Sequence, residues 1–178
     1  MYSPLKTVAL ASFLIIGSVA TMAQDALAQA MPDGASAITE VFGDWVVGCD
    51  VVEGTSHCVL SQKQTLEDGR RLVLVNLFPQ PSGDFEAVMV LPFGLLLAEG
   101  LVARVDQQPW GSGTLQFHSC QPVGCLVELS FGLAEAQMLR AGAVLQLTGV
   151  TDEREPYGFQ ISLAGLTAAM DRTLVLRQ

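Results

Sequence analysis

Basic residues are scarce. Nine Lys and Arg stand against eighteen Asp and Glu among 178 residues, giving a formal net charge of −9. A duplex-binding surface needs clustered cations to displace counterions from phosphate, so nucleic acid is excluded as a partner. Anionic membrane surfaces are unfavourable on the same ground. The local exception is the adjoining pair Arg70-Arg71. Histidine is limited to His57 and His118, which leaves little for metal or acid–base chemistry. Charged residues make up only 15% of the chain against 50% hydrophobic, a balance that excludes a disordered protein. Beyond residue 30 the longest apolar run, 88–98, is broken by Pro92 and Gly94. It is too short to span a bilayer. Several chemical signatures are missing too: G-x-S-x-G, the P-loop, the dinucleotide fingerprint and D-x-D-x-D calcium spacing. Gly111-Ser112-Gly113 reads only as a loop.

What is present begins with an address. Lys6 precedes an apolar run over 8–20, and Ala26-Leu27-Ala28 fits a signal peptidase site. Residues 1–28 are therefore expected to be a signal peptide, with Gln29 as the mature N-terminus and cleavage after Ala23 as the second choice. Four cysteines remain, Cys49, Cys58, Cys120 and Cys125. Each sequence-adjacent pair flanks a short turn-like segment, so Cys49–Cys58 and Cys120–Cys125 are the expected disulfides, suited to an oxidising compartment. A zinc site drawing on these cysteines with His57 and His118 is the rival, but the intervening spacings of eight and four do not form zinc knuckles. The C-x-x-C of a redox-active dithiol is absent.

After a flexible leader over 29–40, short apolar runs alternate with Gly, Pro and Asp punctuation. Strands are expected at 41–49, 57–64, 71–78, 84–91, 101–106, 113–120, 124–131, 143–150 and 157–163. Such spacing argues for a mainly β, antiparallel sandwich or barrel-like domain over 41–178. Trp45, Val47 and Cys49 fall on one face of the first strand, and Trp45 and Phe117 read as core. Two short helices are expected, at 132–140 and from 163 or 164 to about 174, the second closing the chain.

Candidate chemistry is thin. Asp152, Glu153 and Glu155 cluster around Arg154 and read as a solvated turn rather than a glycosidase pair. His57 and His118 each lie beside a cysteine at a strand end. No catalytic, cofactor-binding or metal-ligating residues are assigned and no cofactor is expected. Pro92-Phe93-Gly94 interrupts a strand pattern before three successive leucines, so Phe93, Leu95, Leu97 and Trp110 form the candidate contact patch.

Four blocks carry a resemblance. Phe42-Gly43-Asp44-Trp45-Val46-Val47-Gly48-Cys49, followed by Cys58-Val59-Leu60-Ser61-Gln62, resembles the opening of the invasion-associated locus B family. Leu91-Pro92-Phe93-Gly94-Leu95-Leu96-Leu97, then Gly100-Leu101-Val102-Ala103-Arg104-Val105-Asp106, is similar to its middle. Cys120-Gln121-Pro122-Val123-Gly124-Cys125 resembles its second cysteine pair. Ser162-Leu163-Ala164-Gly165-Leu166-Thr167-Ala168-Ala169-Met170 is similar to its closing segment, with Leu166 where the family is expected to carry Phe. The resemblance implies an exported, periplasmic or secreted envelope protein of a Gram-negative bacterium, and no reaction. The expected function is non-catalytic binding of an envelope or host-surface protein or glycan. A structural or stress-related periplasmic factor and an envelope hydrolase are the alternatives.

Overall fold

Alternating apolar and polar residues dictate the larger of two sheets. The computed structural model describes residues 34–177, so the expected signal peptide and the first residues after it lie outside the described residues. Strands β1 (Ala37–Phe42), β2 (Trp45–Val52), β3 (Thr55–Thr65), β4 (Arg71–Pro79), β5 (Phe85–Leu91), β8 (Phe117–Gln121) and β9 (Gly124–Phe131) form one sheet in the order β1-β2-β3-β4-β5-β9-β8. Strands β6 (Leu101–Val105), β7 (Gln108–Leu115), β10 (Val144–Val150) and β11 (Pro156–Ser162) form the second in the order β11-β10-β6-β7. Every strand pair is antiparallel. No strand pairs across the two sheets, so the architecture is a sandwich and not a barrel.

The core lies between the sheets and beneath the last helix. Trp45, Val47, Leu60, Val75, Met89 and Val127 face inward from the first sheet. Leu101, Ala103, Leu147, Phe159 and Ile161 answer from the second. Helix α1 (Leu133–Ala141) leads into β10, and α2 (Leu166–Leu176) packs across β1–β4 with Leu166, Ala169, Met170 and Leu176 buried. Thr173 is also buried there, and its hydroxyl donates to the Ala169 carbonyl at 2.6 Å.

Three boundaries differ from expectation, each for a local reason. Residues 41–49 do not make one strand. Gly43-Asp44 forms a turn that folds β1 back on β2, so residues 37–40 belong to β1 rather than to the leader. The expected strand 113–120 is two strands in different sheets, β7 and β8, with the chain crossing at Gln116. The strand β7 begins early, at Gln108, because Asp106 and Gln107 both take left-handed backbone (φ 46° and 72°), the two-residue turn that matches strand twist. Helix α2 starts only at Leu166 because Gly165 sits at φ 87°, outside helical space.

Gly165 and Gly43 face each other where two turns meet backbone to backbone. The Asp44 N–H donates to the Ala164 carbonyl at 3.1 Å, bringing the β1–β2 turn onto the turn that opens α2. A Cβ at Gly43 would lie 2.6 Å from the Ala164 oxygen, and one at Gly165 would collide with the Phe42 carbonyl. Both glycines have positive φ (57° and 87°), so Gly is required twice over. Beside them the Trp45 indole Nε1 and the amide of buried Gln62 donate to one acceptor, the Ser162 carbonyl, at 2.9 and 2.8 Å. Gln64 donates to the Gln160 carbonyl at 2.7 Å. Side chains of β2 and β3 thereby satisfy backbone acceptors of β11, an edge strand of the other sheet.

The same helix is clamped to β1 by a two-point ion pair. Arg172 donates to both Glu40 oxygens, at 2.6 and 2.7 Å. These hydrogen bonds hold the Glu40 carboxyl below its ordinary value of 4.5, against a smaller opposing effect of burial. A depressed folded value stabilises the protein fully above the unfolded carboxylate range and stops doing so as pH falls through the folded value. Glu40→Gln is expected to cost about 1 kcal/mol at pH 7 in urea unfolding. The gap from the parent protein should narrow as pH drops below 4.5; a gap independent of pH would show that the pair does not act as an ion pair.

Candidate functional site

Four connections meet at one end of the sandwich and enclose a cleft of about 580 Å³. The β3–β4 turn contributes Leu66 and Arg70, with Arg71 and Leu72 following on β4. The segment after β5 contributes Pro92, Phe93, Gly94 and Leu95. Val123 comes from the β8–β9 turn with Gly124 opening β9, and Thr151 comes from the β10–β11 connection with Tyr157 near the start of β11. Leu66 (38%), Phe93 (61%), Val123 (55%) and Tyr157 (41%) are four of the twelve large hydrophobic side chains exposed among the described residues. Single exposed apolar residues are ordinary, but here four from separate segments of the chain line one cleft.

Each wall is braced. The β3–β4 turn closes through Leu66 N–H to Arg70 O at 2.8 Å and Gly69 N–H to Leu66 O at 2.9 Å. The Asp68 carboxylate accepts from the Arg70 backbone N–H at 2.9 Å and from its Nε at 2.6 Å. These bonds, the backbone one foremost, hold Asp68 below its ordinary value. The Phe93 segment crosses to the second sheet. Leu95 pairs with Thr151, Leu96 N–H donates to Val150 O at 2.7 Å, and Asp152 N–H donates to Gly94 O at 3.1 Å. In the β8–β9 hairpin Cys120 and Cys125 are directly opposed, bonded, with Cα atoms 3.9 Å apart. The Arg71 guanidinium donates to the Val123 carbonyl, tying that disulfide turn to β4. None of the ion pairs among the described residues involves Arg71.

Sequence reasoning placed part of this site. Phe93 and Leu95 line the cleft, and Arg70-Arg71 was legible as a local basic pair. Leu97 is 42% exposed on the 3₁₀ turn Leu97–Glu99, outside the lining. Trp110 does not belong to the patch. It is 1% exposed, its ring meets Phe131 edge-on at 5.3 Å, and its Nε1 donates to the Glu135 carbonyl at 3.1 Å. An inward position on β7 and a carbonyl at the start of α1 satisfy both its ring and its N–H. Leu66, Val123 and Tyr157 were missed, since the first two are unremarkable turn residues and the third is an outward position at the start of β11.

The groups considered for catalysis lie apart. Asp152, Glu153 and Glu155 are exposed on the β10–β11 turn. His118 stands 3.9 Å from Glu128, both exposed. His57 faces Asp50 across β2–β3 and lines a second cleft, of about 530 Å³, with Glu86 and Arg177. That cleft is at the opposite end of the larger sheet, beside the Cys49–Cys58 bridge, whose Cα atoms are 4.1 Å apart. The two cysteine pairs therefore do not converge on one metal, and each is consumed in a bond.

Geometry thus defines a two-sheet β-sandwich, stapled at both ends of its larger sheet by short-loop disulfides and capped by a C-terminal helix. The family model described as Invasion associated locus B (IalB) protein matches residues 45–174. An invasion protein B homolog of Brucella abortus (strain 2308) is 34% identical over 153 residues, spanning 85% of this chain and 87% of that protein. Invasion protein B of Bartonella bacilliformis is 28% identical over 151 residues, spanning 83% and 81%. The crystal structure of invasion associated protein b from Bartonella henselae superposes with a TM-score of 0.71 at 25% identity, covering 78% of this chain and 96% of that one. The chain belongs to the invasion-associated locus B family.

The two disulfides differ in access. Cys49 and Cys58 are 3% and 8% exposed, whereas in the second bridge Cys125 is buried but Cys120 stands at the surface. Thiolate attack requires access to sulfur. A mild reductant is therefore expected to open Cys120–Cys125 first, with alkylation at Cys120 preceding that at Cys49 in peptide mapping. Simultaneous labelling would contradict the assignment of the second bridge as an exposed staple of the cleft rim.

Proposed function

We propose that this protein is an exported, non-catalytic envelope protein that binds an envelope or host-surface protein through the cleft around Phe93. The observation that carries the reading is the convergence of Leu66, Phe93, Val123 and Tyr157 on a hydrogen-bonded, disulfide-braced rim. Apolar side chains fixed on short connections give contact area at low entropic cost. A glycan fits less well. Sugar hydroxyls each need a partner, and the lining offers Thr151, Tyr157 and two guanidinium groups but no carboxylate or side-chain amide. Export is supported by the leader over 1–28 and by two cysteine pairs at disulfide distance.

A photo-crosslinking residue at position 93, in the protein expressed in its own envelope, tests this. Position 41 serves as the control, since Val41 is 70% exposed and lies outside the cleft. A discrete protein adduct from 93 and none from 41 is expected, together with an intact mass beginning at Gln29. Equal adducts from both positions, or none from either, would overturn the binding role; a full-length 178-residue exported form would overturn the cleavage site.

A further inference from the structure

Charge at the cleft runs against the rest of the molecule. The chain carries −9 overall, yet the cleft lining contains two arginines and no Asp or Glu. Arg70 is partly neutralised, because its Nε is engaged by Asp68. Arg71 is not. It is half-buried, its guanidinium hydrogen-bonds among the described residues to the Val123 carbonyl alone, and it has no carboxylate partner among them. A guanidinium has five N–H donors, so donors remain for a ligand. An acidic surface repels anions in general, and a local cation in an apolar cleft therefore selects where an anion can land. Phe93, Tyr157 and Val123 line the same cleft, and the Val123 carbonyl is in direct contact with the guanidinium.

We propose that the cleft recognises an acidic peptide segment of the partner, in which an aromatic or aliphatic side chain adjoins a carboxylate. The apolar side chain packs against Phe93, Val123 and Tyr157, and the carboxylate accepts from Arg71 in the forked geometry that guanidinium favours. Leu91, which also lines the cleft, is already packed in the core at 2% exposure. Leu91 therefore presents little of its side chain to an occupant, and the contact falls to Phe93, Val123 and Tyr157. This inference rests on the binding role proposed above and adds the chemistry of the occupant.

Three capped hexapeptides test it: Gly-Gly-Phe-Asp-Gly-Gly, the same peptide with Lys for Asp, and the same peptide with Ala for Phe. Each is titrated into the ¹⁵N-labelled mature protein, following backbone amide shifts. The Phe-Asp peptide is expected to shift resonances of the cleft connections and to bind about tenfold tighter than the Phe-Lys peptide, with the preference fading at high salt. The Ala-Asp peptide should bind more weakly than Phe-Asp. Arg71→Gln should erase the Asp-over-Lys preference, while Arg104→Gln, on the distant β6, should preserve it. The comparison of peptides on the parent protein stands even if Arg71→Gln disturbs the β8–β9 turn. Equal binding of the Asp and Lys peptides, no shift with any of them, or tighter competition by laurate would overturn the inference. A protein adduct at position 93 combined with indifference to peptide charge would overturn this inference alone and leave the binding role standing.

Discussion

Everything in this fold hangs on one backbone contact, the seating of the Gly43-Asp44 turn against Ala164-Gly165. It joins the first hairpin to the last helix, elements more than a hundred residues apart in sequence. The approach is closer than any side chain permits at either glycine, and both take left-handed backbone. Around the contact, the Trp45 indole and the Gln62 amide converge on Ser162, so the larger sheet closes the edge of the smaller one with hydrogen bonds made out of water. Such bonds contribute modestly when formed and cost far more when one partner is stranded in the core. The Glu40–Arg172 pair then fixes the helix from its outer side. Two sequence blocks that look unrelated, Phe42-Gly43-Asp44-Trp45 and Ser162-Leu163-Ala164-Gly165-Leu166, are the two halves of this junction. Leu166, where the family resemblance led us to expect Phe, is fully buried just inside it.

Much of the sandwich was legible because strand alternation is a local signal. Trp45, Val47 and Cys49 point inward as their spacing requires. The cysteine pairing was legible for the same reason, each bridge closing one hairpin. What was not legible is where the chain changes sheets. Apolar and polar residues keep alternating through 113–120, and nothing in that pattern reports that Leu115 and Phe117 serve different sheets. The first strand was lost because 37–40 hold one large apolar residue, Ile38, too few to show alternation, and these residues pair with β2 through a turn at Gly43-Asp44. Trp110 was misplaced by its neighbours, since the Pro109 before it and the glycine-rich run after it look like a loop. Proline is tolerated there because β7 is an edge strand.

The cleft follows from the same architecture. A sandwich gathers its connections at two ends, and the end holding the β3–β4, β8–β9 and β10–β11 turns also receives the segment that passes from β5 to the second sheet. Its parts are distant in sequence, so only Phe93, Leu95 and the arginine pair announced themselves beforehand. The turn that the second disulfide closes presents Val123 to the cleft and is tied through Arg71 to β4. Rigidity at this rim is what allows exposed apolar side chains to hold a defined shape.

The most direct test of the junction compares two glycine-to-alanine variants by equilibrium urea unfolding. Gly165 and Gly94 have nearly the same positive φ, 87° and 90°. A Cβ at Gly94 would meet nothing within 4 Å, while one at Gly165 would strike the Phe42 carbonyl. Each variant bears the left-handed strain of about 1–2 kcal/mol. Gly165→Ala should lose at least about 2 kcal/mol more than Gly94→Ala, the further cost of prising the two turns apart. Equal losses in the two variants would contradict the claim that this contact holds the sandwich and its helix together.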